Sequence, residues 1–123
     1  MKITHRKVGD IMVLDIGGRI AGDDSLQMRR DISGWIAEIP DNQKPKVILK
    51  LDGVSMMDSA GLGVLVSSYT SAQKREGRLV LAGLGRGLQN LIAITKLARV
   101  FDVYEKEEEA LKSFEEKKEE EKK

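Results

Sequence analysis

The sequence predicts a single α/β domain in which helices pack on a mixed β-sheet of about four to five strands. Two short extended segments open the chain, residues 2–8 and 11–16, and Gly9 and Asp10 join them. Glycine accepts a positive φ without steric cost, so this pair suits a tight hairpin turn. After the hairpin, apolar strand patterns alternate with amphipathic helical patterns, which indicates helices packed on a sheet.

The middle of the chain contains a loop, a helix and a strand. Residues 17–24, GGRIAGDD, are predicted to form a turn-rich loop. Residues 24–39 place apolar side chains at helical spacing, and Asp23 or Asp24 can cap the start of this helix. Residues 46–51, KVILKL, are a short apolar run rich in β-branched side chains, which is typical of a central strand covered on both faces.

The alternation continues in the second half of the chain. Residues 60–75 and 85–98 each carry one apolar stripe at helical spacing. Residues 77–83 form another buried strand pattern, and residues 100–104 a final short one. The sequence therefore predicts two further helices, each followed or preceded by a strand of the same sheet.

The chain is predicted to divide into a domain, residues 1–114, and a charged low-complexity tail, residues 115–123. Residues 105–123 hold nine Glu and six Lys and should form a charged C-terminal helix. Phe114 is its last apolar anchor, so we expect the helix to dock near there and the tail to fray.

Composition excludes several classes of partner. The 123 residues suffice for one domain, and no apolar run approaches the ~18 residues of a membrane span. The chain has no cysteine, which excludes disulfides and thiolate chemistry and fits a cytoplasmic location. The charges are scattered and aromatic residues are only 4% of the chain, so we expect no nucleic-acid surface.

The inventory of reactive side chains argues against an enzyme. His5 is the one histidine, and no carboxylate cluster has metal-ligand spacing, so we expect no metal and no cofactor. A serine triad would have to use His5, and MDSAG differs from the G-x-S-x-G elbow. Gly83, Gly85 and Gly87 are spaced G-x-G-x-G, unlike a dinucleotide-binding loop. An alternative function, of a different class from a regulatory binding protein, is a small nucleotide-binding protein that uses this loop.

Residues 56–63, MMDSAGLG, lie where a strand pattern gives way to a helical one. Asp58 or Ser59 could act only as a helix cap. The two glycines of the stretch do not fit that interpretation, because a glycine in a helix costs about 1 kcal/mol relative to alanine. Because glycine has no side chain, these two positions could instead let another protein surface contact the main chain. Leu62 would then project between two small neighbours.

The stretch VILKLDGVSMMDSAGLGVLVSSY, residues 47–69, resembles the signature of the STAS domain as found in bacterial anti-sigma-factor antagonists. The resemblance rests on a buried strand, the short segment DGVSMM and the Asp-Ser-x-Gly-Leu-Gly motif of residues 58–63 at the entry to a helix. The later order of strand, helix, strand and acidic helix is similar as well, so that the resemblance covers about residues 3–112.

The resemblance implies a regulatory binding protein. In that family the serine that matches Ser59 is phosphorylated by the anti-sigma factor, a serine kinase of the GHKL ATPase type. The unphosphorylated protein binds this kinase and frees the sigma factor, and a PP2C-type phosphatase reverses the modification. ATP belongs to the kinase. The implied phosphorylation and partner-binding residues are Asp58, Ser59, Ala60, Gly61, Leu62, Gly63, Arg19, Asp23 and Asp24.

Two departures from the family pattern carry expectations. Ala60 stands where many members have a second Ser or Thr, so Ser59 is the single candidate within the motif. Lys96 stands where the family often has Gly, and it would be strained if a helix ends there in the left-handed conformation. The closest alternative function is a STAS subunit of a stressosome-like or lipid-transport assembly, which would use the same face constitutively.

Overall fold

The structure, a computed structural model, describes the main chain of residues 1–121 and the side chains of residues 1–115. Five strands and four α-helices are present in this part of the chain. The strands are β1 (Lys2–Val8), β2 (Ile11–Ile20), β3 (Lys46–Met57), β4 (Arg78–Ala82) and β5 (Val103–Tyr104). The helices are α1 (Asp24–Glu38), α2 (Ser59–Lys74), α3 (Arg86–Ile94) and α4 (Glu107–Glu121), with a 3-10 turn at Leu97–Arg99.

The five strands form one mixed sheet in the order β1-β2-β3-β4-β5, which confirms the predicted fold class. β1 and β2 are antiparallel, and the remaining neighbours are parallel. The predicted hairpin is confirmed, since Val8 pairs with Ile11 and Gly9 has a φ of 64°. Three parallel pairs require helical crossovers, which α1, α2 and α3 supply.

The predicted loop at residues 17–24 is partly wrong, because its first four residues continue β2. They pair with residues 53–57, so β3 also runs six residues beyond its predicted end. Two register shifts interrupt this pairing. A Cβ on Gly53 would lie 3.2 Å from the Cα of Gly17, so the missing side chains allow the strands to approach closely. The glycines and bulges hide the strand pattern in the sequence.

Alternate strand residues point to two separate hydrophobic clusters, one on each face of the sheet. On one face Leu14, Leu49 and Leu81 pack with α1, α2 and α3. On the other face Val13 and Ile48 pack with α4. Burial on both faces explains why the strand patterns are almost continuously apolar.

The α4 helix is held at its start by ion pairs and, as far as Phe114, by apolar packing. Glu107 pairs with Arg6, and its carboxylate lies 3.7 Å from the Lys50 Nζ. The Arg6 guanidinium, chiefly by hydrogen bonding, lowers the pKa of Glu107. Ala110 and Phe114 are buried against the sheet, as predicted for the last apolar anchors.

The predicted frayed tail falls mostly beyond the described side chains. The main chain of α4 continues to Glu121, while the side chains of residues 116–123 lie outside the described part of the structure. The division of the chain at residue 114 therefore stays a prediction.

Lys96 adopts the left-handed conformation expected from its place in the sequence, with φ 62° and ψ 15°. It follows α3, which ends at Ile94, and precedes the 3-10 turn. For a residue with a Cβ this conformation costs roughly 1–2 kcal/mol. A glycine would adopt the same conformation without this steric cost.

Lys96→Gly should therefore raise the thermal midpoint by a few degrees. The released strain exceeds the entropy that glycine adds to the unfolded chain, about 0.4–1 kcal/mol. Lys74→Gly, in the last turn of α2, is the matched control and should lower stability by about 1 kcal/mol. Thermal unfolding followed by circular dichroism measures both. Equal losses in the two variants would show that Lys96 is not strained.

Candidate functional site

The motif of residues 58–63 lies where the carboxyl ends of β2 and β3 meet the start of α2. β3 ends at Met57, and α2 begins two residues later at Ser59. The loop between β2 and α1, residues 21–23, lies at the same end, because Ile20 pairs with Met57. The two chain segments singled out in the sequence are therefore neighbours in the fold.

Asp58 joins these two segments through both of its carboxylate oxygens. Its Oδ1 accepts the main-chain N–H of Gly61 at 2.9 Å, which caps α2. Its Oδ2 accepts the main-chain N–H of Gly22 at 3.0 Å, which holds the β2–α1 loop. The Asp58 N–H in turn donates to the Ile20 carbonyl at 3.1 Å. The bond from Gly22 thus fixes the loop to the residue that caps α2, and the bond to Ile20 fixes that same residue to the end of β2.

These contacts also set the charge of Asp58. The hydrogen bond from Gly61 N–H, and then that from Gly22 N–H, lowers the pKa of the Asp58 carboxyl. Both bonds favour the ionised form because both donors point at the carboxylate. At neutral pH Asp58 is therefore an anion at the amino end of α2, where the helix dipole also favours a negative charge.

Ser59 is exposed and is not the cap of α2, because Asp58 occupies that position. Within the described part of the chain, its hydroxyl makes no hydrogen bond. It stands on the first helical residue with its Oγ free to meet another molecule. Of the two residues that the sequence offers as the cap of α2, Asp58 is therefore the one that caps it.

Gly61 and Leu62 face inward. The expectation that Leu62 projects from the helix is wrong, since its side chain is 7% exposed and belongs to the core beneath α2. Gly61 is buried, and a Cβ there would lie 2.7 Å from Met57 Cγ and 3.1 Å from Ile20 Cγ2. The apolar stripe of residues 60–75, to which Leu62 belongs by its spacing from Leu65, already indicated the inward direction of this side chain.

Ala60 and Gly63 face outward. Both are exposed, and a Cβ on Gly63 would meet no atom within 4 Å. Gly63 therefore has no explanation in the packing of the domain itself. Gly63 and Ser59 together leave the outer surface of the first turn of α2 almost free of side chains. A second molecule can therefore come close to the main chain of this turn.

The residues expected from the first loop lie on the same side of the domain. Arg19 is exposed near the end of β2, and Asp23 is exposed at the start of α1, where it makes no side-chain cap bond. Asp24 instead accepts the Ala21 N–H at 3.2 Å. Asp23 and Arg19 are therefore free to contact a partner, whereas Asp24 braces the loop.

One exposed apolar residue at this end was missed in the sequence. Met56 is 42% exposed and pairs with Arg19 across β2 and β3. It also lines a cleft of about 400 Å³ between the end of β3 and the start of α3, which Leu88 and Leu91 line from the helix. The signal was available only after β3 was known to reach Met57, because strand alternation then directs Met56 outward.

Comparison with known proteins supports the resemblance drawn from the motif. The family model described as "STAS domain" matches residues 2–110. The chain belongs to the STAS-domain family. An anti-sigma-B factor antagonist from Listeria monocytogenes is 40% identical over 62 residues, which cover 49% of this chain and 54% of that protein. This STAS domain thus spans about half the length of the curated relatives it matches.

Two solved structures resemble the domain closely in fold. An anti-sigma factor antagonist from Mycobacterium paratuberculosis has a TM-score of 0.80 at 20% identity, with 91% of this chain and 92% of that chain covered. The Bacillus cell fate determinant SpoIIAA in its phosphorylated form has a TM-score of 0.66 at 20% identity, with 92% and 99% covered. At these identities the likeness concerns the fold.

The glycine loop before α3 has a structural explanation in this STAS domain. Gly83 has a φ of 72°, and the Asp52 carboxylate lies where a Cβ of Gly83 would be. Gly85 is the N-cap of α3 and supplies no side-chain oxygen. A phosphate at this loop would meet the negative charge of Asp52, which disfavours the nucleotide-binding alternative.

The remaining candidate features of the described residues are His5, metal sites and membrane spans. His5 is exposed on β1, and its ring lies 4.5 Å from that of Trp35. Among the described residues, no group of three or more His, Cys, Asp or Glu side chains is placed to hold a metal ion. In that same part of the chain, none of the helices combines the length and the apolar character needed to cross a membrane.

Alanine at the two glycines of the motif should act in opposite directions. Gly63→Ala should stabilise the domain by about 0.5–1 kcal/mol, because the new methyl meets nothing and alanine favours the helix. Gly61→Ala should destabilise it, because Met57 and Ile20 must move. Denaturant unfolding measures both free energies. A gain in stability for Gly61→Ala would refute the packing role given to this glycine.

The charge of Asp58 should make its contribution to stability depend on pH. A carboxyl whose pKa is lower in the folded than in the unfolded chain stabilises the fold above its unfolded pKa, about 3.9. That stabilisation is lost as the pH falls through the folded pKa. Asp58→Asn should therefore lower the free energy of unfolding at pH 7, and the difference from the unmodified protein should shrink below about pH 4.

Urea unfolding at pH 7, 5 and 3.5 tests this dependence. Asp23→Asn removes one charge near the same loop without removing a cap bond, and it should change stability little at pH 7. A difference between Asp58→Asn and the unmodified protein that stays constant down to pH 3.5 would show that the Asp58 charge does not stabilise the fold.

Proposed function

We propose that this STAS domain is an anti-sigma-factor antagonist controlled by phosphorylation of Ser59. With Ser59 unmodified, it binds an anti-sigma-factor serine kinase of the GHKL ATPase type and thereby frees a sigma factor. Phosphorylation of Ser59 ends the binding, and a PP2C-type phosphatase restores it. The protein acts in the bacterial cytoplasm as the substrate of the kinase and not as an enzyme.

The free hydroxyl of Ser59 is the observation that carries this proposal. It is exposed at the first residue of α2, and Asp58 rather than Ser59 supplies the cap. A kinase can reach it without unfolding the helix, because its hydroxyl makes no hydrogen bond to any residue that the structure describes. The names of the relatives, which are antagonists of anti-sigma factors, support the same function.

The outward part of the motif is suited to a partner surface. We define the switch surface as Ser59, Ala60, Gly63, Arg19, Asp23 and Met56, all exposed at the carboxyl ends of β2 and β3. Ala60 and Gly63 let a partner approach the helix closely, and Met56 offers an apolar contact. Asp58, Gly61, Leu62 and Asp24 then support this surface from below.

A phosphoryl group on Ser59 would change binding far more than folding. It adds about −1.5 to −2 charges at pH 7. Asp58 already accepts the Gly61 N–H, so its carboxylate repels the phosphate from the end of the helix and keeps it directed outward. Burying that charge against a surface fitted to a hydroxyl costs several kcal/mol, which corresponds to a loss in affinity of about 100-fold or more.

Ser59→Ala and Ser59→Asp should separate the switch from a purely structural serine. Neither variant removes a cap, so each should keep the free energy of unfolding within about 0.5 kcal/mol of the unmodified protein. Ser59→Ala should bind the kinase and resist inactivation, whereas Ser59→Asp should bind it weakly. Affinity capture with Ser59→Ala identifies the kinase, and titration calorimetry with the purified kinase then gives the affinities.

Ser71→Asp is the matched control, because it places the same charge on an exposed serine three turns along α2. It should bind like the unmodified protein. Mass spectrometry after incubation with the kinase and ATP should find phosphate on Ser59 alone. Phosphate on another serine with none on Ser59 would contradict the proposal, and no phosphate at all would favour a STAS subunit that uses this face constitutively.

A further inference from the structure

The cleft between the end of β3 and the start of α3, which we call the α3 cleft, adjoins the switch surface through Met56. It forms because β4 ends at Ala82, opposite Lys50, so that residues 51–57 of β3 have no strand neighbour on this side. The start of α3 lies beside this uncovered edge, and the two enclose about 400 Å³. Pockets next to a contact surface are the usual places for the anchoring side chains of a partner.

The walls of the α3 cleft are apolar and open to solvent. Met56, which is 42% exposed, and the half-buried Val54 line the cleft from β3, and the half-buried Leu91 lines it from α3. Ile94 is three residues beyond Leu91, on the same face of the helix, and is 79% exposed. Accessible apolar side chains therefore continue from the switch surface along α3, as is typical of a surface that another protein covers.

Gly87, in the first turn of α3, leaves one wall of the cleft without a side chain. It is exposed, and a Cβ there would meet no atom within 4 Å. Its φ is not positive, so its conformation does not require glycine, and glycine within a helix is less stable than alanine. Gly63 combines the same properties on the switch surface. Two helix starts at one end of the domain are thus bare without a reason in the fold, as expected if one partner approaches both.

The charge at the rim of the cleft favours an acidic neighbour. Arg86 is exposed, lines the cleft and forms no ion pair with any residue that the structure describes. None of the described residues that line the cleft carries a carboxylate. A partner that fits here therefore offers an apolar side chain with a carboxylate beside it.

We infer that the anti-sigma-factor kinase inserts an apolar side chain into the α3 cleft and places a carboxylate against Arg86, an assignment that rests on the function proposed above. The kinase is the partner that must cover Ser59, and Met56 belongs both to the switch surface and to the cleft. The two contacts lie at the starts of different helices, α2 and α3. Together they fix the orientation of Ser59 relative to the kinase, which a contact at the first turn of α2 alone does not.

Filling the cleft with a side chain of the domain itself tests this assignment. Gly87→Leu places a side chain in the open space of the cleft. Gly34→Leu is the matched control, because Gly34 is also exposed, with open space at its Cβ, and lies about 15 Å along α1 from Asp24. Both variants should be at least as stable to denaturant as the unmodified protein, because leucine favours a helix more than glycine does.

Titration calorimetry with the purified kinase, identified by capture with Ser59→Ala, measures the effect on binding. Gly87→Leu should bind on the order of tenfold more weakly or worse, because the apolar side chain of the kinase can no longer be buried. Gly34→Leu should bind like the unmodified protein. In phosphorylation assays Gly87→Leu should raise the KM by a similar factor and leave kcat unchanged, since the cleft contact is the same in the ground state and the transition state.

Arg86→Gln and Arg99→Gln form a second matched pair, which tests the carboxylate. Both arginines are exposed, and Arg99 lines a separate cleft near the far end of α2. Arg86→Gln should slow association with the kinase several-fold, and the difference should shrink at high salt, because charges at the rim of an interface act mainly on association. Arg99→Gln should leave association unchanged.

The possible outcomes distinguish a failure of this assignment from a failure of the proposed function. The assignment is overturned, while phosphorylation of Ser59 stands, if Gly87→Leu binds the kinase as Gly34→Leu does or if Arg86→Gln associates as Arg99→Gln does. Loss of self-association in Gly87→Leu with unchanged kinase affinity would assign the cleft to a second copy of the chain and overturn it too. If no kinase binds the domain and phosphorylates Ser59, both the assignment and the proposed function are wrong.

Discussion

The carboxylate of Asp58 is the contact on which the functional end of this domain depends. It closes the first turn of α2 and, with its other oxygen, holds the main chain of the β2–α1 loop. Without it the start of α2 would keep its main-chain hydrogen bond from the Asp58 N–H to the Ile20 carbonyl at the end of β2, and it would lose its hydrogen bond to the loop. An aspartate suits this place better than a serine, since one hydroxyl oxygen does not reach two donors on separate segments as two carboxylate oxygens do.

The Asp-Ser-x-Gly-Leu-Gly motif serves folding and binding with different residues of the same turn. Gly61 and Leu62 are buried against Met57, Ile20 and the core, so their identity is explained by the domain itself. Ser59 and Gly63 lie on the outer side and take part in no such packing. Because the two sets are on opposite sides of one helical turn, a chemical change on the outer side leaves the inner side in place. That separation is what a reversible binding switch requires.

Much of the fold could be predicted from the sequence because local patterns and packing agree. The hairpin at Gly9 and the central strand that begins at Lys46 follow from turn chemistry and burial, whereas the left-handed conformation of Lys96 was considered because the family resembled often has Gly there. The extension of β2 through residues 17–20 could not be predicted, since glycines and register shifts remove the strand pattern there. The inward direction of Leu62 was available from its place on the apolar stripe of residues 60–75, and the expectation that it projects between two glycines set that periodicity aside.

The two ends of α2 meet different kinds of sheet edge. At the start of α2, β2 and β3 remain paired as far as Ile20 and Met57. Their ends support a surface that is open to solvent, and the main-chain groups of the two strands bond to each other there. At the end of α2, β5 stops short of β4, and the main-chain N–H and C=O of Leu79 have no hydrogen-bond partner among the described residues. A complete edge suits recognition by a large partner, because the surface is rigid before the partner arrives and little ordering entropy is lost.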